Sequence, residues 1–172
     1  MNIILTGFMG TGKSVAGKSV AHKLSMHYLD LDEMIEKDVG MKISKIFKRR
    51  GEPYFRDLET KACKCISILD NFVISTGGGV VLREENMNEL SRNGIIICLT
   101  ASPDIIYQRT NKHGHRPLLN VKDPEKEIAE LLKKREPFYR RCDQMIDTSN
   151  LSVDDVVERI VQFYKEKIGC AS

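Results

Sequence analysis

Eight residues near the N-terminus, Gly7-Phe8-Met9-Gly10-Thr11-Gly12-Lys13-Ser14, fit the pattern G-x-x-x-x-G-K-[ST] at every fixed position. They follow a short apolar run, Asn2 to Thr6, and precede a helical pattern, which is the context a phosphate-binding loop requires. Glycines there let the chain turn with its N–H groups pointing inward at phosphate oxygens. The start of the following helix adds partial positive charge. Lys13 can then reach the β- and γ-phosphates of a nucleotide, and the Ser14 hydroxyl can bind Mg2+. A merely flexible glycine-rich turn is the alternative, and the strand–helix context speaks against it.

Such a loop serves switches and motors as well as kinases, so the rest of the chain must decide. Guanine readers show Asn-Lys-x-Asp, whereas Asn111-Lys112-His113-Gly114 has glycine in place of the acid. A motor-type ATPase shows an apolar strand ending in acids, whereas the third and fourth expected strands end in Ser75-Thr76 and Leu99-Thr100. Carboxylates end a strand at Tyr28-Leu29-Asp30-Leu31-Asp32. Side chains alternate along a strand, so Asp30 and Asp32 are expected to share a face. One can hold Mg2+, through water, while the other accepts a hydrogen bond from a substrate hydroxyl and orients it or takes its proton.

Three arginines ask for an anionic partner. Arg56 has Glu59 at the i,i+3 spacing that can hold its guanidinium. Arg135 lies on the apolar stripe of its helix, where a charge must be paired. Arg116 precedes Pro117 in a polar segment. The arginine fork suits a carboxylate or phosphate, and a surface salt bridge is the alternative for any one of the three. Gly77-Gly78-Gly79 directly follows the third strand, where glycines permit close approach to a ligand and offer N–H donors, or simply form a turn.

The elements that position these residues alternate along 172 residues, a length for one domain. Strands are expected at Asn2 to Thr6, Tyr28 to Asp32, Phe72 to Thr76, Ile95 to Thr100 and Gln144 to Asp147. Between them lies a helix from Ser14 to Ser25, with Val15, Ala16, Val20 and Leu24 as inward positions. A short helix around Ile43, Ile46 and Phe47 ends at Gly51. Another opens at Pro53, with Leu58, Ala62, Cys65, Ile66 and Leu69 on one face. Ser102-Pro103 and Asp123-Pro124 each read as a cap followed by a first helical residue. The second of these helices carries Ile128, Leu131, Leu132 and Arg135 on its stripe. Thr110 to Val121 reads as a mobile loop. Ser152 to Asp155 resembles a capping box opening a last helix, with Val153, Val157, Ile160, Val161 and Tyr164 inward. Strand–helix alternation means a parallel sheet covered on both faces, with ligands at the carboxyl ends of its strands.

Composition narrows the class further. A hydrophobic share of 41% with 30% charged residues fits a globular chain. A net charge of +3 does not call for nucleic acid and suits a small anionic substrate. No apolar run approaches the roughly 20 residues of a membrane span, and Met1-Asn2-Ile3 leads into a strand with no targeting segment. Five cysteines, without metal-binding or redox spacing, read as reduced thiols in a cytoplasmic protein.

The ordered set of motifs resembles the shikimate kinase family from Ile3 to about Tyr164. It comprises the phosphate-binding loop, Asp30-Leu31-Asp32, Phe47 with Gly51-Glu52, Phe55-Arg56-Asp57-Leu58-Glu59, Gly77-Gly78-Gly79, Arg116-Pro117-Leu118-Leu119, and Arg135-Glu136-Pro137-Phe138-Tyr139. The resemblance implies a three-layer α/β/α P-loop kinase fold with a five-stranded parallel sheet. It also implies a helical substrate-binding segment over about 32–61 and a mobile lid over about 110–121, in a single domain spanning 1–172. It implies phosphorylation of the shikimate 3-hydroxyl by ATP with Mg2+, a step in aromatic amino acid biosynthesis, by a cytoplasmic monomer with no nucleic acid or membrane partner. Lys13, Asp32 and Arg116 become catalytic, with Asp32 binding the reacting hydroxyl and Arg116 swinging in with the lid. ATP would be held by Gly10, Thr11, Gly12, Lys13, Ser14, Val15, Arg109 and Arg116, with Arg109 near adenine. Shikimate would meet Asp32, Arg56, Gly77, Gly78, Gly79 and Arg135, the two arginines clamping its carboxylate. Mg2+ would be held by Ser14 directly and by Asp30 through water. The lid approach, His113-Gly114-His115-Arg116, departs from many relatives, which have another charged residue before Arg-Pro. Thr148-Ser149-Asn150 matches weakly and receives no role. A gluconate or nucleoside monophosphate kinase, and a nucleotide-binding module without chemistry, are the rival readings.

Overall fold

The computed structural model describes residues 1–111 and 123–169. Among them, five strands form one parallel sheet: β1 (Asn2–Thr6), β2 (His27–Asp30), β3 (Phe72–Ser75), β4 (Gly94–Thr100) and β5 (Gln144–Asp147), in the order β2-β3-β1-β4-β5. The helices are α1 (Lys13–Leu24), α2 (Leu31–Val39), α3 (Ile43–Ile66), α4 (Glu84–Ser91), α5 (Pro103–Asn111), α6 (Pro124–Tyr139) and α7 (Val153–Gly169). Register lines up the carboxyl ends of the strands. Leu5 lies opposite Ser75 and Ile97, and Asp30 lies opposite Ser75. The loops after β1, β2 and β3 therefore start at one level, and the residues expected to do chemistry follow those ends.

Both faces of the sheet are covered, which is why its strands are nearly continuous apolar runs. Ile3, Leu5, Val73, Ile95, Ile97 and Leu99 pack against Ala16 and Val20 of α1 and Val156, Val157 and Ile160 of α7. Ile4, Ile74, Ile96 and Cys98 point the other way, into a cluster built from α2 to α6 with Leu31, Ile46, Phe55, Ile66, Leu90, Ile106 and Ile128. The first face supports the phosphate-binding loop and the second supports the segment after β2.

Several expectations need correction. The chain leaves the sheet at Asp30, not Asp32: Asp30 is the N-cap of α2, its Oδ1 accepting from Asp32 N–H at 3.0 Å and Glu33 N–H at 3.3 Å. Asp32 thus stands in the first helical turn and shares no strand face with Asp30. Asp30 and Glu33 have the spacing that marks a helix start, and this signal outweighs the alternation of Tyr28 to Asp32. Val15 is 57% exposed and Val153 is 46% exposed, so neither faces the core. In α3 it is Cys63 that is buried, while Cys65 is exposed and Leu69 lies past the helix end. Thr110 and Asn111 belong to the last turn of α5, and the rest of the expected lid, with Arg116, lies outside the described residues. Helix α4, polar with only Asn86, Met87, Glu89 and Leu90 turned inward, has no counterpart in the expected elements.

The caps expected at Asp123 and Ser152 are present. Asp123 accepts from Lys126 N–H at 3.1 Å, and Ser152 and Asp155 exchange reciprocal bonds at 3.1 Å. The break at Gly51 also holds. It sits within α3 at φ 82° and ψ 171°, so that Ile43 to Arg50 and the part opened by Pro53 run in different directions. That backbone region is essentially closed to residues with a Cβ. An added Cβ would meet nothing nearer than Pro53 Cδ at 3.7 Å, so conformation rather than space is the obstacle. Gly51→Ala is expected to destabilise the fold by about 1–3 kcal/mol, read as a lower denaturation midpoint in urea. An unchanged midpoint would mean that α3 takes another path in solution.

Candidate active site

The loop between β1 and α1 is held from below and from the side. Thr11 Oγ1 donates to Phe8 O at 2.8 Å, and the buried Lys13 donates through Nζ to the carbonyls of Gly7 and Phe8, both at 2.8 Å. Its outer edge is tied to the end of β5. Thr148, which is buried, donates to Thr100 O at 3.0 Å and reaches Thr11 O at 3.2 Å. Arg109 of α5 then donates to Thr148 Oγ1 at 2.9 Å and Thr148 O at 2.8 Å, and to Gly10 O at 3.4 Å. Gly10, Thr11, Gly12, Lys13, Ser14, Val15, Asp30, Asp32, Gly77, Gly78 and Arg109 line one cleft of roughly 700 Å³.

At the floor of this cleft two acids have separate surroundings. The second oxygen of Asp30 faces Ser14 Oγ and Tyr28 Oη, each at 3.3 Å, with Ser75 Oγ 3.5 Å from Ser14. Asp32 is half-buried, and its Oδ1, which is buried, has no hydrogen-bond partner among the described residues. Burial, then the charges of Asp30 and Glu59, push its carboxyl up from 3.8 to about 6, against the pull of Lys13. A carboxylate so placed gains from any donor that enters, and it can accept a proton from a hydroxyl as that hydroxyl reacts.

The remaining cations gather behind the glycine loop. Arg56 is 12% exposed and pairs with Glu59, itself 1% exposed, and with Glu52 at 2.8 Å. Burial pushes the Glu59 carboxyl up from its ordinary range, against the pull of Arg56. Gly77 and Gly79 are needed for space. A Cβ on Gly77 would lie 2.7 Å from Asp32 Oδ1, and one on Gly79 would overlap the Arg56 guanidinium. Arg135 of α6 is half-buried, has no ion pair with a described residue, and lies 5.6 Å from the Phe8 ring centroid. Arg56, Gly79 and Arg135 are not on the cleft wall. They form a second group joined to it through Gly77 and Gly78, so the site has a cleft at the phosphate-binding loop and an arginine group that share the glycine loop.

Sequence reasoning missed Thr148, Ser75 and Tyr139. Thr148 and Ser75 stand at the carboxyl ends of β5 and β3, where the rule for parallel sheets already points. Tyr139 donates to Gly78 O at 2.7 Å and sits four residues after Arg135, a spacing that places both on one helix face.

The model of the shikimate kinase family matches residues 9–165 of this sequence. The chain belongs to the shikimate kinase family. It is 50% identical over 163 residues to a relative named shikimate kinase from Thermoanaerobacter pseudethanolicus, covering 95% of each. Among solved structures it is similar to the shikimate kinase of Acinetobacter baumannii in complex with shikimate. The TM-score is 0.90 at 35% identity, over 96% of this chain and 93% of that one. The shikimate kinase of Aquifex aeolicus gives a TM-score of 0.84 at 33% identity, over 98% and 99%. The five-stranded parallel α/β architecture expected from the sequence is thus that of the shikimate kinase family, in order and in extent.

The raised carboxyl of Asp32 has a consequence for stability. The folded chain binds that proton more tightly than the unfolded chain, so the ionised form is a burden on the fold. This burden is absent below the unfolded value of 3.8, grows as pH rises through about 6, and is complete at neutral pH. Asp32→Asn is therefore expected to raise stability at neutral pH, by up to about 3 kcal/mol. The gain should shrink as the solution is acidified through that range, in denaturation series at several pH values. A loss of stability at neutral pH would mean that Lys13 more than compensates the burial.

Proposed function

We propose a division of labour among the residues of this site. The reaction is that of the family: ATP-dependent phosphorylation of shikimate at its 3-hydroxyl, giving shikimate 3-phosphate and ADP on the route to aromatic amino acids. The observation that carries the site reading is the buried, unpartnered Oδ1 of Asp32 beside the phosphate-binding loop. The shikimate 3-hydroxyl donates to that oxygen, which fixes the attacking oxygen toward the γ-phosphoryl and can take its proton as the bond to phosphorus forms. With its carboxyl near 6, Asp32 is ionised at neutral pH yet basic enough to hold the proton in passing.

Arg56 and Arg135 clamp the shikimate carboxylate, and the N–H groups of Gly78 and Gly79 steady the ring from the loop side. Gly10, Thr11, Gly12, Lys13, Ser14 and Val15 cradle the phosphates, and Arg109 borders the nucleotide base. Residues 110–121, of which 112–121 with Arg116 lie outside the described part, are given the role of a lid that brings one more positive charge to the transferring phosphoryl and excludes water. Residues 32–61 form the substrate-binding segment of a single domain.

Mg2+ fits this site. Among the described residues no three metal-binding side chains converge, but Mg2+ takes few protein oxygens and completes its shell with phosphates and water. Ser14 Oγ and Asp30 Oδ2 lie 3.3 Å apart in the cleft, and these two would hold it, Asp30 through water. Bound there it supplies charge neutralisation to the phosphates. No helix among the described residues is long and apolar enough to cross a membrane, and the thiols of Cys63, Cys65, Cys98 and Cys142 are free. We read the protein as a cytoplasmic monomer without a nucleic acid partner.

The test is ADP release with ATP and Mg2+, in parallel with shikimate, gluconate, AMP and no acceptor. Release with shikimate alone is expected. Release with another acceptor would keep a kinase and discard this substrate, and no release from protein that binds ATP would leave a nucleotide-binding module. Asp32→Asn is expected to bind ATP normally and lose most turnover, and a near-normal kcat would remove Asp32 from its role. Arg135→Lys is expected to raise KM for shikimate about 10- to 100-fold, the worth of a charged bidentate contact, with little change for ATP. Equal rises for both substrates would point to general misfolding.

A further inference from the structure

Tyr139 ends α6 one turn after Arg135, so the two side chains leave the same face of the helix. It is 4% exposed, and its ring lies in the apolar cluster with Val80, Val81 and Cys98. Phenylalanine would fill that volume equally well, so packing alone does not call for a hydroxyl. The hydroxyl instead donates to Gly78 O at 2.7 Å, inside the loop that joins the two halves of the site. Burial lifts this hydroxyl to about 12, against the pull of the neighbouring Arg135 guanidinium. On its other side the guanidinium meets the ring of Phe8.

The partner of the Gly78 carbonyl in its peptide group is the N–H of Gly79. In a trans peptide the two point in opposite directions, so fixing the carbonyl toward Tyr139 turns the N–H away from it. Gly79 in turn packs on Arg56 too closely for any Cβ. Tyr139 therefore stands between Arg135 on one side and, on the other, the loop against which Arg56 of α3 packs.

We infer that Tyr139 is a positioning residue: its hydroxyl locks Arg135 to the Gly77–Gly79 loop and so sets the spacing between Arg135 and Arg56. The inference rests on the assignment of those two arginines to the shikimate carboxylate. A guanidinium that meets a carboxylate through two parallel bonds tolerates little rotation. Without the hydroxyl, Arg135 keeps its charge and its contact with Phe8 but loses the point that fixes its rotation about that contact.

The experiment is a cycle of Tyr139→Phe, Arg135→Lys and the double variant in the full chain, with steady-state kinetics for both substrates and thermal melting. Tyr139→Phe is expected to raise KM for shikimate about five- to tenfold, the loss of one buried hydrogen bond, while kcat and KM for ATP stay within about twofold. Melting is expected to remain cooperative. In the Arg135→Lys background the same substitution should add less than about twofold, because the residue it acts through is already gone. Multiplying penalties in the double variant, or equal rises for shikimate and ATP, would overturn the inference. So would an unchanged KM for shikimate in active Tyr139→Phe enzyme, or a variant that no longer folds. A wild-type chain without shikimate-dependent ADP release would overturn the reaction assignment itself, and the inference with it.

Discussion

Negative charge crowded beside a site for a polyanion is the constraint on which this structure depends. Asp30, Asp32 and Glu59 converge on the carboxyl end of the sheet, next to a loop that receives phosphate. Two like charges a few ångströms apart repel by about 4 kcal/mol even at an intermediate dielectric. Two of the three acids are held by neighbours. Asp30 spends one oxygen on the start of α2 and turns the other to Ser14 and Tyr28. Glu59 is held by Arg56. Asp32 is left with the pull of Lys13 and an oxygen without a bond, and its carboxyl rises accordingly. The same imbalance that weighs on the fold suits the group to the proton-accepting role proposed for it.

The scaffold answers that constraint by letting backbone stand where side chains would not fit. Asp32 and Glu59 close on Gly77, and Arg56 closes on Gly79, so acids and base approach through the space of missing Cβ atoms. The kink at Gly51 allows one continuous segment to bury Ile46 against the sheet and then redirect toward Arg56 and Glu59. Phe47 and Phe55 meet across the kink with ring centroids 4.8 Å apart, which couples its two arms. The segment with Arg56 and Glu59 thus hangs on one face of the sheet and the phosphate-binding loop on α1 and the other, with β1 common to both.

What was legible in the sequence follows the same division. The phosphate-binding loop, all five strands and the caps at Asp123 and Ser152 are local signals, and each stands where the sequence places it to within a residue or two. Asp30 and Asp32 read as two acids on one strand face; both line the cleft, but in another geometry. A helix start and a strand end compete at those residues, and the two N–H groups free to bond Asp30 decide the outcome. Thr148 was missed because its role depends on β5 lying beside β4, a pairing between distant segments that no local pattern shows. Helix α4 was missed because a short polar helix has almost no apolar stripe to read. Val15 and Val153 were misjudged because apolar residues at helical spacing announce a core. At these positions they instead line the cleft.

Charge accounting within the site also separates the roles of its two arginines. Arg56 has the larger share of bonds, yet Glu59 and Glu52 already offset its charge, so it brings shape and hydrogen-bond donors more than net attraction. Arg135 has a ring on one side and a phenol on the other, and pairs with no acid among the described residues. A carboxylate arriving between them meets one neutralised fork and one that still has its full charge. The first can define where the acid sits without holding it tightly, and the second supplies the attraction that draws it from water. A neutral polyol would satisfy the first arginine's geometry and leave the second unpaired in a half-buried place, which costs more than the hydroxyl contacts return. With the roles proposed above, selectivity for an acidic acceptor resides mainly in α6, and Asp32 stands at the other end of the glycine loop.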